Sequence, residues 1–249
     1  MAELDKQAAR AYGMGASRAG AGAIDEGLRA YMLQVYNYMA IGLAVTGVVA
    51  FGAFTMAVSG GQLTAFGQAI YASPLKWVIM LAPLGMVFLL SARLNSMSLG
   101  GAQMAFWVFA ALMGLSLSSV FLVFTGASIA RVFFITAASF GALSLYGYTT
   151  KKDLSAWGSF LFMGLIGIII ASLVNLFLAS SALQFAVSVI GVLVFAGLTA
   201  YDTQQIKEMY SVHDDGTMSG RKAINGALRL YLDFINLFMM LLQLFGNRN

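Results

Sequence analysis

Apolar positions run in long unbroken stretches near residues 34–58, 74–92, 102–124, 130–149, 157–178, 183–203 and 225–245. Each is close to the roughly 20 helical residues that cross a hydrocarbon core of about 30 Å. The pattern predicts an all-α integral membrane protein of seven transmembrane helices in one domain. The first stretch is too long for a signal-peptide core and is expected to anchor the chain. The segment before it lacks helical apolar periodicity and carries Gly13, Gly15, Gly20 and Gly22. Residues 1–30 are therefore expected to form a mostly disordered tail, and residues 31–249 the membrane domain.

Composition agrees with this reading. Of 249 residues 60% are hydrophobic and 10% charged, well above the roughly 45–50% apolar content of soluble domains. Basic residues near span ends are retained on the cytoplasmic side. With the N-terminus inside, eleven of the fourteen Lys and Arg fall inside, and only Lys76, Arg131 and Arg248 fall outside. The net charge of +4 is thus accounted for by topology, and a nucleic-acid partner is not needed. No cysteine is present, which excludes disulfides and thiolate metal sites. Within the spans, Gly42, Gly47 and Gly52 allow close helix packing, and Pro83 removes a mid-span backbone donor and predicts a kink. The polar connection from Lys207 to Lys222 reads as a cytosolic hairpin loop.

Two acidic residues break the apolar pattern. Asp202 and Asp233 lie inside or at the edge of membrane-length stretches, whereas the other eight acidic residues sit in tails and loops. A carboxylate at that depth costs about 3 kcal/mol on insertion scales, so it usually faces a cavity or a partner and marks an ion or proton path. In the last helix Arg229, Asp233, Asn236, Met240 and Gln243 follow spacings of 4, 3, 4 and 3, which forms one narrow stripe. Thr199, Asp202 and Gln205 share a face of the sixth helix. Such stripes either line a path or hydrogen-bond neighbouring helices, and Asn175 with Ser172 in the fifth helix is open to the same two readings.

Depth relates these groups. The second and sixth helices both descend to the cytosol and end near Arg93 and Asp202. Asp233 lies only about 6 Å above Arg229, at about 1.5 Å per residue, and the Arg229 guanidinium can snorkel to the interface. Asp202, Asp233 and Arg93 therefore approach one cytosolic layer. Two carboxylates within hydrogen-bonding reach in a low dielectric tend to share one proton. An adjacent arginine favours the ionised form, so the opposed effects suit a proton-controlled switch. His213, alone in a polar loop, is not expected to be a ligand.

At these residues the chain resembles a known family. Ala200 to Lys207 (AYDTQQIK), Leu230 to Phe238 (LYLDFINLF) with its continuation LLQLFG, and Lys151 to Ser155 (KKDLS) are similar to signatures of the transmembrane Bax inhibitor motif family, its bacterial members above all. The resemblance covers all seven spans and leaves out the N-terminal tail. It implies a central last helix, location in the bacterial inner membrane, and pH-dependent passage of Ca²⁺ down its gradient, with no resident cofactor. It further implies that Asp202 and Asp233 are the pH sensor and that Arg93 latches the closed path. Asn236, Met240, Gln243, Thr199 and Asn175 are candidate path-lining residues. The two aspartates are also candidates for weak, transient Ca²⁺ contact, although such an ion prefers six to eight oxygen ligands.

Two other function classes remain in view. Tyr201 and Asp202 match the first motif of intramembrane aspartyl proteases, but Leu230, Tyr231 and Leu232 stand where the second motif requires a glycine approach to its aspartate. A regulatory binding protein that restrains a membrane-bound protease is the third reading, suggested by bacterial relatives and by the Ala/Gly-rich tail. A retinal receptor is excluded by the lack of lysine in the last span.

Overall fold

The computed structural model describes residues 26–249. Seven helices are long and apolar enough to cross a membrane. They are α1 (Glu26–Ala57), α2 (Leu75–Arg93), α3 (Leu99–Leu117), α4 (Gly126–Thr149), α5 (Ser155–Leu178), α6 (Ser181–Glu208) and α7 (Gly216–Phe245). Helices are the expected solution, because lipid offers backbone N–H and C=O groups no outside partner. Short polar side chains start several of them. Ser98 accepts from the Gly101 N–H, Ser180 from Leu183 and Asp215 from Met218, which satisfies donors that a helix start leaves free.

The boundaries differ from the sequence pattern at the cytosolic side. α1 already includes residues 26–30, whereas the rest of the expected disordered tail lies outside the described residues. Likewise α6 extends through Glu208 and α7 begins at Gly216, so the predicted polar hairpin loop is reduced to residues 209–215. Hydropathy marks where lipid begins, not where a helix ends, and these helices continue past the apolar slab. α2 runs unbroken through Pro83, so the predicted kink leaves the helix continuous. A small hairpin that the pattern did not predict, Val58–Ser59 with Gln62–Leu63, follows α1. Its turn residues Gly60 and Gly61 have φ of 59° and 78°, a backbone shape that glycine adopts without strain.

The last helix is the hub. In its most apolar window 56% of α7 is buried, against 11% for α2 and for α5. It packs on α1, α3, α4 and α6, while α2 leans on α3 and α5 on α6. Its core face is Leu228, Leu230, Tyr231, Phe234, Leu237 and Leu242. Tyr231 ties three helices together: its hydroxyl is 2.6 Å from the Thr46 hydroxyl, which also lies 2.9 Å from the Gly42 and Ala110 carbonyl oxygens.

Two helix contacts depend on glycine. A Cβ at Gly147 of α4 would lie 2.2 Å from the Ala200 carbonyl oxygen, and one at Gly158 of α5 would lie 2.6 Å from the Tyr201 ring. The chain end closes the far side, where Thr125 N–H donates to Asn247 O at 3.0 Å and Asn249 N–H to Val123 O at 2.9 Å. This places the C-terminus beside the α3–α4 turn, opposite the 209–215 loop.

Candidate functional site

The polar stripe of α7 faces α6 in antiparallel register. Near the outer end Ser188 Oγ donates to Gln243 Oε1 at 2.9 Å. One turn inward Met240 covers Gly191, where a Cβ would lie 2.8 Å from the Met240 sulfur. At the inner end Asp202 of α6 meets Asp233 of α7, and their carboxyl groups are neighbours. The same hairpin geometry that joins these two helices therefore assembles the pair. Two bare carboxylates offer only acceptors, so neighbouring ones in a low dielectric favour sharing a proton.

The environment is asymmetric. Asp233 is 5% exposed, and its Oδ2 is buried with no hydrogen-bond partner among the described residues. The Asp202 side chain is 17% exposed, and its Oδ1 lies 3.9 Å from Arg229 Nη1. The Arg229 side chain is itself 44% exposed, so the ion pair is a loose one. One carboxyl group is thus sealed, and the other lies beside a partly exposed cation.

Below the pair, towards the 209–215 loop, the structure supplies a floor that the sequence pattern did not reveal. Tyr31 of α1 is 3% exposed, packs on Tyr210 with ring centroids 5.7 Å apart, and holds a buried hydroxyl with no partner among the described residues. The loop carrying Tyr210 is pinned by Lys222, whose Nζ donates to Asp214 Oδ2 at 2.6 Å and to Met209 O at 2.9 Å. Gly27 is the α1 position that admits Tyr210, since a Cβ there would collide with the phenol. Only the contact of distant segments identifies these residues, although the Lys222 and Asp214 pair carries opposite charge in the sequence.

The structure does not bring Arg93 to this layer. Arg93 is exposed and forms no ion pair with either aspartate among the described residues. The reason is the level at which α2 meets α7. The turn after α2 touches α7 at Arg221, whose Nη1 donates to Asn95 O at 2.8 Å. Arg221 precedes Arg229 by eight residues, about 12 Å along a helix. Arg229, on the same helix as Asp233, is the cation that reaches the pair.

The remaining candidate residues are placed as follows. Thr199 is fully buried, and its hydroxyl donates to Phe195 O at 2.7 Å, so it faces no opening. Asn236 is half-buried and donates to Leu232 O of its own helix at 2.8 Å. Gln243 is engaged by Ser188, and Met240 is half-buried against α6. Asn175 lies far from the pair and accepts from the Ser180 N–H at 3.0 Å, which shapes the α5–α6 turn where Ala179 has φ 49°. Apart from the two aspartates, no third acidic, His or Cys side chain gathers into a metal-binding group among the described residues. The arrangement offers two carboxylates and no closed cage.

Comparison with known proteins follows the same chain segment. Residues 28–249 match the family described as Inhibitor of apoptosis-promoting Bax1. The inner membrane protein YbhL of Escherichia coli strain K12 is 51% identical over 224 residues, which cover 89% of this chain and 93% of that protein. An uncharacterized protein of Rickettsia prowazekii is 50% identical over 224 residues, covering 90% and 92% of the two chains. One of Caulobacter vibrioides is 45% identical over 232 residues, covering 90% of each.

Proposed function

Since the chain belongs to the Bax inhibitor family and is a multi-pass inner-membrane protein, we propose that it is a pH-sensitive calcium leak channel. Its gate is the Asp202–Asp233 pair at the cytosolic end. The observation that carries this reading is the pair itself: two neighbouring carboxyl groups on adjacent spans, one of them with a buried oxygen lacking a partner.

The mechanism follows from charge. While one proton is shared, the pair carries a single negative charge and holds α6 against α7. Loss of that proton places two anions side by side in a poorly hydrated layer, and their repulsion favours separation of the helices or entry of a cation between them. Arg229 partly offsets the second charge and so opposes this repulsion; its loose contact with Asp202 is exchanged for the entering cation on opening. In this reading Arg229 takes the part that the family resemblance suggested for Arg93. A divalent cation passing the opened pair finds two carboxylates, enough for brief contact and too few for retention.

The test is Ca²⁺ and proton flux in vesicles containing the purified chain, measured across the neutral pH range. Asp202→Asn and Asp233→Asn are expected to flatten the pH dependence. Unaltered pH dependence in both variants would overturn the sensor, and absence of Ca²⁺ flux from the unmodified protein at every pH would overturn the channel.

A further inference from the structure

α4 and α5 both pack on α6, and between them lies a cavity of about 640 Å³ that opens sideways towards lipid. Its size is within the range of about 300–1,000 Å³ typical of small-ligand sites. Leu143, Phe160 and Leu193 form its walls, and Ala196 and Gly197 of α6 keep its floor low. The loop between α4 and α5 crosses its cytosolic end. That loop is fixed by Gln204, whose Nε2 donates to Lys152 O at 2.9 Å while its Oε1 accepts from the Leu154 N–H at 2.8 Å.

The mouth is basic. Lys151 and Lys152 are exposed and form no ion pair among the described residues. Lys207 is not part of the mouth: its Nζ donates to Tyr148 O at 2.8 Å at the end of α4. Asp153 also lines the mouth. Its carboxylate accepts from the Ser155 N–H at 2.8 Å, and that bond holds it below the usual carboxylate range, so it offsets one of the two lysines. Trp157, exposed beside them, has the amphipathic ring that prefers the lipid–water boundary.

A lateral apolar cavity at leaflet depth, topped by an excess of lysine, matches one chemistry. We propose that this cleft binds an anionic glycerophospholipid of the inner leaflet, with an acyl chain along α6 and its phosphate at Lys151 and Lys152. Lipid supplies the chain from the side, and lysines near a membrane surface select anionic headgroups. Neither aspartate of the pair lines the cavity.

The test uses the full chain in phosphatidylcholine nanodiscs containing a minor fraction of lipid with brominated acyl chains, which quench indole on contact. Trp157 emission is read as the difference between the unmodified protein and Trp157→Phe. Brominated phosphatidylglycerol is expected to quench it several-fold more than brominated phosphatidylcholine at equal fraction. The exposed double variant Lys151→Gln/Lys152→Gln is expected to abolish that preference, and Ala196→Phe to reduce quenching by both lipids. Lys6→Gln/Arg10→Gln removes equal charge elsewhere and is expected to keep the preference. Equal quenching in the unmodified protein, a preference that survives loss of both lysines, or one lost in the tail variant would overturn the site. Persistence of full quenching in Ala196→Phe would overturn its location, and displacement by dissolved glycerol phosphate would overturn the lipid as its occupant.

Discussion

Asp233 and Arg229 share one face of α7, yet they meet different environments, and the difference decides which substitutions should matter. Arg229→Gln removes the cation beside Asp202 and is expected to move the pH dependence of Ca²⁺ flux, whereas Arg93→Gln, at an exposed site away from the pair, should leave it in place. Flux measured in vesicles for both variants distinguishes the two arginines. The loose 3.9 Å geometry sets an upper limit on stability: loss of the Arg229 pair should cost no more than about 1 kcal/mol. Tyr231→Phe deletes a fully buried hydroxyl bonded to Thr46, and thermal unfolding in detergent should report a loss of about 1 kcal/mol. Thr46 retains nearby carbonyl acceptors in that variant, so no buried donor is stranded.

The helices themselves are held by small residues, as expected where lipid provides no hydrophobic drive for association. Gly147→Ala places a methyl group against the Ala200 carbonyl, so α4 must move off α6, at about 1–3 kcal/mol. Gly141→Ala on the same helix meets nothing within 4 Å and should be neutral or slightly stabilising. Unfolding of the two variants side by side checks this. Not every glycine with meaning was evident from spacing. Gly220 stands in polar sequence, yet it is buried at the start of α7 against Leu99. The apolar partner comes from a helix more than a hundred residues away, so local composition carries no trace of it.

For the molecule as a whole, the charge distribution and the seven spans require the N-terminus inside and the C-terminus outside. The absence of cysteine makes this directly testable. A single cysteine at the exposed Gly216 should react with an impermeant thiol reagent only from the cytosolic side, and one at Asn249 only from the opposite side. Labelling of both from one side would overturn the seven-span topology.

The seven spans, their orientation and the two anomalous aspartates were legible in the chain, because the cost of placing polar groups in hydrocarbon acts residue by residue and leaves its mark on every stretch. The hub position of α7 was implied by resemblance, and its burial on four sides supplies the packing that composition could not rank. The cation at the pair was a different kind of question. Arg93 and Arg229 both belong near the cytosolic side, and topology gives each a depth but no neighbour. The tertiary contacts chose Arg229, since the turn after α2 meets α7 at Arg221, about three turns below Asp233. They also decided that Thr199 is sealed, that Asn175 serves a turn, and that Gln204 fixes the loop bearing Lys151 and Lys152. Transfer free energy is a property of each segment and can be read along a sequence; side-chain partnership depends on the rotation and level of helices distant in the chain, and only their packing sets it.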